Sequence, residues 1–280
     1  MEKNVGTDVT QKIMSLSSKG EIKIPVIEPV QQPSGEAPSV TIASNGIEKA
    51  PSQLPQFPDT SYPPLSRQAR RFAMEVQAIQ EQCRHLCLSV FFRDQAPARS
   101  LGFTSSLAGE GKTLLAMMTA NVLAQDSYNP VTLLECNWEH PCLHEHFRLP
   151  PAPGLAEWLR GECDKASIIH QVHPNLFVIP AGNGQQDAMR LIQRIRQQNL
   201  SDLLALSNAF LVVDLPAIAP TAYGLLASSL VEALIVVVHA GVTPDTLVAE
   251  TCTQLKHLPV EGVILNQIES RIPRWLRHML

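Results

Sequence analysis

Residues 103–125 read FTSSLAGEGKTLLAMMTANVLAQ, and this stretch decides the fold. An apolar strand ends in a loop of small residues, and Gly111-Lys112-Thr113 opens a helix, which is the context that a phosphate-binding P-loop requires. Gly109 and Gly111 let the backbone approach closely and point its N–H groups at phosphate oxygens. We expect Lys112 to contact the β and γ phosphates of a nucleotide, and Thr113 to bind Mg²⁺ through its hydroxyl.

The loop is a deviant form of the strict pattern, because Ser106 stands where a glycine is usual. Glu110 is a loop residue whose side chain we expect to face solvent. The alternative interpretation is a glycine-containing turn before an ordinary helix. The residues expected to contact a bound nucleotide in this loop are Ser106, Ala108, Gly109, Glu110, Gly111, Lys112, Thr113 and Leu114.

A second motif, AFLVVDLPAIAP at residues 209–220, supports the first. It places Asp214 at the carboxyl end of an apolar strand, where a Walker-B-type carboxylate holds Mg²⁺ through water. A strand-end aspartate can also cap a helix, and this alternative stays open. Lys112 and Asp214 are therefore candidate catalytic residues, with ATP and Mg²⁺ as the expected ligands.

Short apolar runs alternate with helical stretches along most of the chain. The predicted strands are SLGFTSS, VTLLE, NLFVIPAG, AFLVVDLP, ALIVVVHA and EGVILNQ, and the predicted helices are 113–125, 154–161, 186–207, 221–228 and 244–257. Continuous apolar strands separated by helices indicate an α/β fold with a mainly parallel sheet and helices on both faces. Ligands of such sheets bind at the carboxyl ends of the strands.

The two ends of the chain differ in composition from this region. Residues 1–65 are rich in Pro, Ser, Gln and Gly without a sustained hydrophobic period, which predicts a disordered tail. The α/β domain is predicted over 66–270, and it begins with an amphipathic helix whose apolar face contains positions 72, 76, 79, 83, 86 and 90. Residues 271–280 interleave Arg with apolar residues, a pattern that fits an anionic membrane surface, a partner's groove or a docked helix.

Charge and cysteine content narrow the classes of function. The formal net charge is -4 and the pI is about 6.1, so we expect no nucleic-acid partner. Six cysteines without a disulfide-scaffold spacing, and an N-terminal segment without an apolar signal region, favour the cytoplasm. The longest apolar runs are far shorter than the ~20 residues of a membrane-spanning helix. Any membrane association is thus expected to be peripheral, at the inner face of the plasma membrane.

One segment is dense in potential metal ligands: Cys136, His140, Cys142, His144 and His146. Their spacing does not match the usual paired ligands of a zinc site. Packing and nucleotide-loop roles are favoured over zinc.

The P-loop and five further segments carry a family resemblance; the segments are VTLLECNWEHPCLHEHF, PGLAEWLRG, LFVIPAG, VVDLPAI and EGVILN. Together they resemble the cytoplasmic kinase domain of bacterial tyrosine kinases of the capsular exopolysaccharide type, relatives of the MinD and ParA partition ATPases. The resemblance covers about residues 75–266. Partition ATPases carry a signature lysine two residues before the first glycine of GxGK, and Leu107 occupies that position here, which favours the kinase-like branch.

The resemblance implies roles for residues outside the P-loop. Asn266 on the closing strand would contact the purine, and an ordinary strand-end asparagine is the alternative. The family assembles rings through a Glu-x-x-Arg-x-x-Arg pattern on its leading helix, which Glu81 and Arg84 fit and Cys87 does not. The pair therefore indicates either a homo-oligomer contact or a surface i,i+3 interaction.

The family's second nucleotide motif resembles Asp-x-Asp-x-Arg-Arg-Pro, whereas this chain has ECNWEHP at residues 135–141. Glu135 keeps a carboxylate and is the third candidate catalytic residue. Asn137 cannot carry the negative charge, and Glu139 replaces a cation by an anion. The tyrosine cluster common near the family's C-terminus is absent from SRIPRWLRHML, and the tyrosines of this chain are Tyr62, Tyr128 and Tyr223.

The resemblance implies an ATP-binding, kinase-like protein that controls exopolysaccharide or capsule polymerisation and export. Its implied partner is an inner-membrane polysaccharide co-polymerase that regulates chain length. An active tyrosine autokinase and a nucleotide-binding regulator without phosphoryl transfer both fit this implication. A positioning ATPase of the MinD/ParA type is a third alternative, which Leu107 disfavours.

Overall fold

The computed structural model describes residues 15–17, 67–198 and 209–268. In these ranges the strands are β1 (Ser15–Ser17), β2 (Ser100–Ser105), β3 (Val131–Glu135), β4 (His170–His173), β5 (Leu176–Ile179), β6 (Phe210–Asp214), β7 (Ala233–His239) and β8 (Val260–Ile268). The helices are α1 (Arg67–Phe91), α2 (Lys112–Asp126), α3 (Leu143–His146), α4 (Leu155–Arg160), α5 (Ala188–Gln198), α6 (Gly224–Ser228) and α7 (Asp245–Gln254).

These strands form one sheet that is parallel except at one edge. Its order is β1-β8-β7-β2-β6-β3-β5-β4, and β4 runs antiparallel to β5. Each of the predicted strands coincides with an observed one, so the prediction of a mainly parallel α/β fold is confirmed. Because β2, β3, β6, β7 and β8 are parallel, their carboxyl ends meet at one edge of the sheet.

Helices cover both faces of the sheet, as predicted. Leu133 and Leu134 are neighbours on β3 and point to opposite faces, since side chains alternate along a strand. Leu133 lies in the core cluster that α1 and α2 cover, and Leu134 lies in the cluster that α4 and α5 cover. The sheet is therefore buried on both sides, which explains its continuous apolar strands.

Helix α1 buries the apolar face that its sequence predicts. Ile79, Cys83, Leu86 and Val90 are each at most 7% exposed and belong to the core cluster beside α2. The leading helix is thus an integral part of the domain, packed along α2.

Four short elements were not predicted from the sequence: strand β4, helix α3, a 3-10 turn at Lys165–Ser167, and strand β1, which lies within the predicted disordered tail. The predicted helix over 186–207 is observed as α5, and residues 199–208 lie outside the described residues. The predicted tail over 1–65, apart from β1, and the basic segment 271–280 also lie outside them. Within the described ranges, no helix combines the length and the hydrophobicity needed to span a bilayer.

Candidate functional site

The P-loop connects β2 to α2 at the carboxyl edge of the sheet. Gly109 and Gly111 have φ of +83° and +91°, in the left-handed region that favours glycine. A β-carbon on Gly111 would also collide with the side-chain amide of Asn266. The two glycines that the sequence singles out are therefore required by this backbone conformation.

The other residues of the loop divide between its rim and its base. Ala108 and Gly109 are exposed, and Leu114 is half-buried on the first turn of α2. Ser106 is buried, and its hydroxyl has no hydrogen-bond partner in the described part of the chain. Its carbonyl accepts a hydrogen bond from Ala219 N over 3.2 Å, which ties the loop to the segment after β6.

Asp214 meets Thr113 at the centre of the site. Thr113 Oγ1 donates a hydrogen bond to Asp214 Oδ2 over 2.8 Å. Asp214 is fully buried, and its Oδ1 has no hydrogen-bond partner among the described residues. Burial raises the pKa of Asp214 to about 7, while Lys112 opposes the shift and the neighbouring Glu135 adds to it.

Lys112 supplies the positive charge of the site and is only 6% exposed. Its ammonium group opposes the rise in pKa of both Asp214 and Glu135. A buried carboxylate oxygen without a partner, a hydroxyl and an ammonium group suit a phosphate with Mg²⁺, because magnesium prefers hard oxygen ligands. Thr113 and Asp214 are the residues that would hold the ion, the second of them through water.

Glu135 lies at the end of β3, and its carboxylate accepts three backbone hydrogen bonds. Its Oε1 accepts the N–H groups of Cys142 and Leu143 over 2.6 and 3.0 Å, and its Oε2 accepts that of Ala181 over 3.1 Å. Burial raises the pKa of Glu135, and these three hydrogen bonds oppose the shift. The carboxylate thus anchors the start of α3 and the segment after β5.

Glu110 does not face solvent, and this prediction was wrong. The residue is 2% exposed. Its carboxylate accepts hydrogen bonds from Leu107 N, His239 N and the hydroxyl of Thr243. Since β7 and its following loop lie beside the P-loop, the side chain turns inward and joins the two. The sequence error came from treating a charged loop residue as exposed without knowing which strand is adjacent.

Asn266 sits at the end of β8 with its amide against the P-loop. Its Nδ2 donates to the carbonyl of Glu110 over 2.9 Å, and its Oδ1 accepts from Gln267 N over 2.9 Å. It is 5% exposed. The structure therefore brings Asn266 into the site that the sequence predicts, through the loop backbone.

The segment that replaces the second nucleotide motif is held by a buried tryptophan. Trp138 is 2% exposed, and its indole N–H donates to the carbonyl of Ala181 over 2.8 Å. Its backbone N–H donates to the hydroxyl of Tyr223 over 3.2 Å, and the two rings are in contact. A β-carbon on Gly184 would collide with the indole ring. Residues 137–141 are thus fixed to the core.

Of two groups singled out from the sequence, the pair on α1 lies outside this site, and Cys142 of the Cys/His segment borders it, with Thr113 as a side-chain hydrogen-bond partner. Arg84 Nη1 binds Glu81 and its Nε binds Asp126, each over 2.5 Å, so the pair on α1 also contacts α2. In the Cys/His segment, Cys136 is fully buried and Cys142 is half-buried. Over residues 67–198 and 209–268, no three His, Cys, Asp or Glu side chains come together as a metal site.

Sequence reasoning missed three contributors to the site: Thr243, Trp138 and Tyr223. Thr243 follows β7, and its hydroxyl reaches the carboxylate of Glu110. Its position directly after an apolar strand was an available signal, because that is the edge where ligands bind. For Trp138 and Tyr223, sequence spacing gives no indication that residues 85 positions apart are in contact.

The fold and this arrangement define an α/β domain of the P-loop type. Comparisons with known proteins agree with the resemblance inferred from the sequence. The succinoglycan biosynthesis transport protein ExoP of Rhizobium meliloti (strain 1021) is 29% identical over 178 residues, which are 61% of this chain and 22% of ExoP. Tyrosine-protein kinase ptk of Acinetobacter johnsonii is 25% identical over 193 residues, 68% of this chain and 26% of that kinase.

The kinase domain of Escherichia coli tyrosine kinase ETK has the same fold, with a TM-score of 0.63 at 20% identity over 71% of this chain and 78% of that one. No protein-family model matches the chain. The chain spans about a quarter of the length of the curated relatives it matches. The predicted resemblance to bacterial tyrosine kinases of the exopolysaccharide type is confirmed by these relatives.

Proposed function

We propose that this chain binds ATP with Mg²⁺ and acts as the kinase-like nucleotide-binding part of a system that controls exopolysaccharide polymerisation and export. The observation that carries the proposal is the contact between the P-loop and β6. Thr113 donates to Asp214 there, and a buried carboxylate oxygen beside it has no partner among the described residues. That oxygen is suited to a water molecule of a hydrated magnesium ion.

The residues of the site divide the work of nucleotide binding. The N–H groups around Gly109 and Gly111 and the N-terminus of α2 bind phosphate oxygens. Lys112 neutralises charge on the β and γ phosphates, and Thr113 and Asp214 orient the ion. Bound Mg²⁺ supplies charge stabilisation for a transferring phosphoryl group. Asp214 must be ionised for this role, and the positive charges of the ion and of Lys112 favour that form.

Calorimetric titration with Mg²⁺ and ATP tests the proposal. The wild-type chain should bind saturably, and Lys112→Ala should weaken binding at least about tenfold, because it removes a buried cation that contacts the phosphates. Lys256→Ala is the matched control, since Lys256 is exposed near the end of α7. Absence of saturable binding by the wild-type chain would remove the proposal.

A second candidate function is a nucleotide-binding regulator that does not transfer phosphate. Glu135 favours it, because its two oxygens already accept three backbone hydrogen bonds, which give the carboxylate a structural role. Asn137 and Glu139 stand where the related motif has an aspartate and a positively charged arginine. The two candidates share ATP binding and differ only in phosphoryl transfer.

Phosphotyrosine formation with Mg²⁺ and ATP discriminates the candidates. An autokinase produces a signal that Lys112→Ala abolishes, whereas a regulator produces none while binding ATP. Peptide mapping sharpens the result, because Tyr128 is fully exposed and Tyr223 is buried. A phosphate on native protein is expected at Tyr128 or Tyr62, and not at Tyr223.

The partner and the location follow from the same proposal. ExoP is named a biosynthesis transport protein, and this chain matches 22% of it. We therefore include an inner-membrane polysaccharide co-polymerase as partner, with the chain at the cytoplasmic side of the membrane. Self-assembly through α1 at Glu81 and Arg84 belongs to the proposal as well.

A further inference from the structure

We infer that Glu110, Thr243 and Asn266 form a clasp that holds the P-loop in its phosphate-binding conformation. In this assignment Asn266 is a positioning residue for the loop that binds the phosphates. The inference rests on the nucleotide binding proposed above. It concerns how the loop is held, and so it is separable from whether phosphate is transferred.

The first half of the clasp is the carboxylate of Glu110. It accepts Leu107 N over 2.7 Å within the loop, and it accepts His239 N over 3.2 Å at the end of β7. The hydroxyl of Thr243 donates to Glu110 Oε1, which is also the oxygen that accepts His239 N. Glu110 and Thr243 are 2% and 8% exposed, so water does not compete for these hydrogen bonds.

The second half of the clasp is the side chain of Asn266. Its amide nitrogen donates to Glu110 O over 2.9 Å, and its amide oxygen accepts Gln267 N over 2.9 Å. It is packed so closely that Gly111 has no room for a β-carbon. The amide nitrogen still has a second N–H and the amide oxygen a second lone pair, so this contact holds the loop and leaves both atoms able to meet a base.

The two halves hold one residue, Glu110, from two neighbouring strands of the sheet. The side chain of Glu110 is bound by the segment after β7, and its carbonyl is bound by β8. The loop amides are therefore held in position before a ligand binds. The entropic cost of ordering them on binding is lower as a result. Loosening the clasp should weaken the binding of every ligand that contacts those amides, whatever base the ligand has.

Binding of inorganic tripolyphosphate separates the two roles of Asn266, because this probe has phosphates and no base. With Mg²⁺ present, Asn266→Ala should raise the Kd for tripolyphosphate about tenfold, because it removes one buried hydrogen bond and loosens the loop. A loss for ATP with unchanged tripolyphosphate binding would make Asn266 a base reader and overturn the inference.

Thr243 gives an independent test outside the nucleotide-contacting residues. Thr243→Val keeps the shape and removes the hydroxyl, so both Kd values should rise about fivefold. Thr243→Ser keeps the hydroxyl and should restore binding to within about twofold. Thr253→Val on α7 is the matched control, because the hydroxyl of Thr253 is bonded to its own helix at Ala249 O.

Thermal unfolding of each variant separates loop positioning from loss of fold. A variant that binds weakly at a wild-type melting temperature supports the clasp. If Thr243→Val binds both probes as the wild type does, the clasp is wrong while the proposed function stands. If the wild-type chain binds neither probe, the proposed function and the inference fail together.

Discussion

Glu135 and Asp214 are register partners at the carboxyl ends of β3 and β6, so two carboxylates lie side by side beneath the P-loop. The backbone fixes this pairing, because Cys136 N donates to Asp214 O over 2.9 Å. Burial raises the pKa of both groups, and Lys112 opposes both shifts. The proton that the raised pKa keeps on Asp214 therefore reduces the negative charge beside Lys112.

The first prediction concerns the pH dependence of stability. Between the ordinary pKa of 3.8 and the folded pKa of about 7, the folded protein keeps a proton on Asp214 that the unfolded chain releases. The stability from this proton is complete below the lower value and is lost as the pH rises to the upper one. Asp214→Asn should flatten the slope of the unfolding free energy over this window, a total change on the order of 4 kcal/mol in urea titrations.

Asp187 provides a control, because its pKa is shifted in the opposite direction from that of Asp214. The hydrogen bond from Arg160 lowers the pKa of Asp187, so its contribution is present above the ordinary pKa and is lost as the pH falls. Asp187→Asn should therefore leave the slope above the ordinary pKa unchanged. An unaltered slope in Asp214→Asn would contradict the raised pKa.

The second prediction concerns the metal dependence of nucleotide binding. Thr113→Val removes the hydroxyl that donates to Asp214, and we expect the enhancement of ATP affinity by Mg²⁺ to fall about tenfold. Thr113→Ser should retain it. The measurement is the ratio of Kd values with and without Mg²⁺, and an undiminished ratio in the valine variant would show that Thr113 does not bind the ion.

The third prediction concerns the anchoring role of Glu135. Glu135→Ala leaves three backbone N–H groups without their acceptor, and it should lower the free energy of unfolding by about 3 kcal/mol. Proteolysis should become faster near α3. Glu139→Ala in the same segment is the control and should change little, because the one side-chain hydrogen bond of Glu139 is exposed and 3.4 Å long. Full stability with lost activity in Glu135→Ala would favour a catalytic role.

The fourth prediction concerns Arg84. Its guanidinium joins Glu81 and Asp126 at a side-chain exposure of 36%, where solvent screens ion pairs. Arg84→Ala should therefore shift the melting temperature by no more than about 2 °C. If α1 mediates self-assembly, the same variant should sediment as a smaller species than the wild type. Unchanged sedimentation would leave the pair as a link between α1 and α2 only.

Much of the fold is predictable because its signals are local. The strand VTLLE has the predicted bounds, and the helix after Gly111 begins at Lys112 as a P-loop requires. Strand β4 was not predictable in the same way. Its sequence HQVH contains two histidines and a glutamine and is paired on one side only, at the edge of the sheet, so it lacks the apolar run of a buried strand.

The sequence predicts which residues form the site, but it does not predict which of them share hydrogen bonds. The motif patterns indicated Thr113 and Asp214, but they could not show that the two side chains share a hydrogen bond. Glu110 shows most clearly what the motif patterns cannot predict. A glutamate in a loop is usually exposed, and only the arrangement of β7 and β8 around it turns its carboxylate inward.

The buried position of Trp138 constrains how an acceptor could enter. Swinging residues 137–141 away from the core would expose the indole ring and leave a hole between Tyr223 and Gly184. Exposing so large an aromatic surface costs about 3 kcal/mol or more. Residues 137–141 are accordingly held in place and do not open.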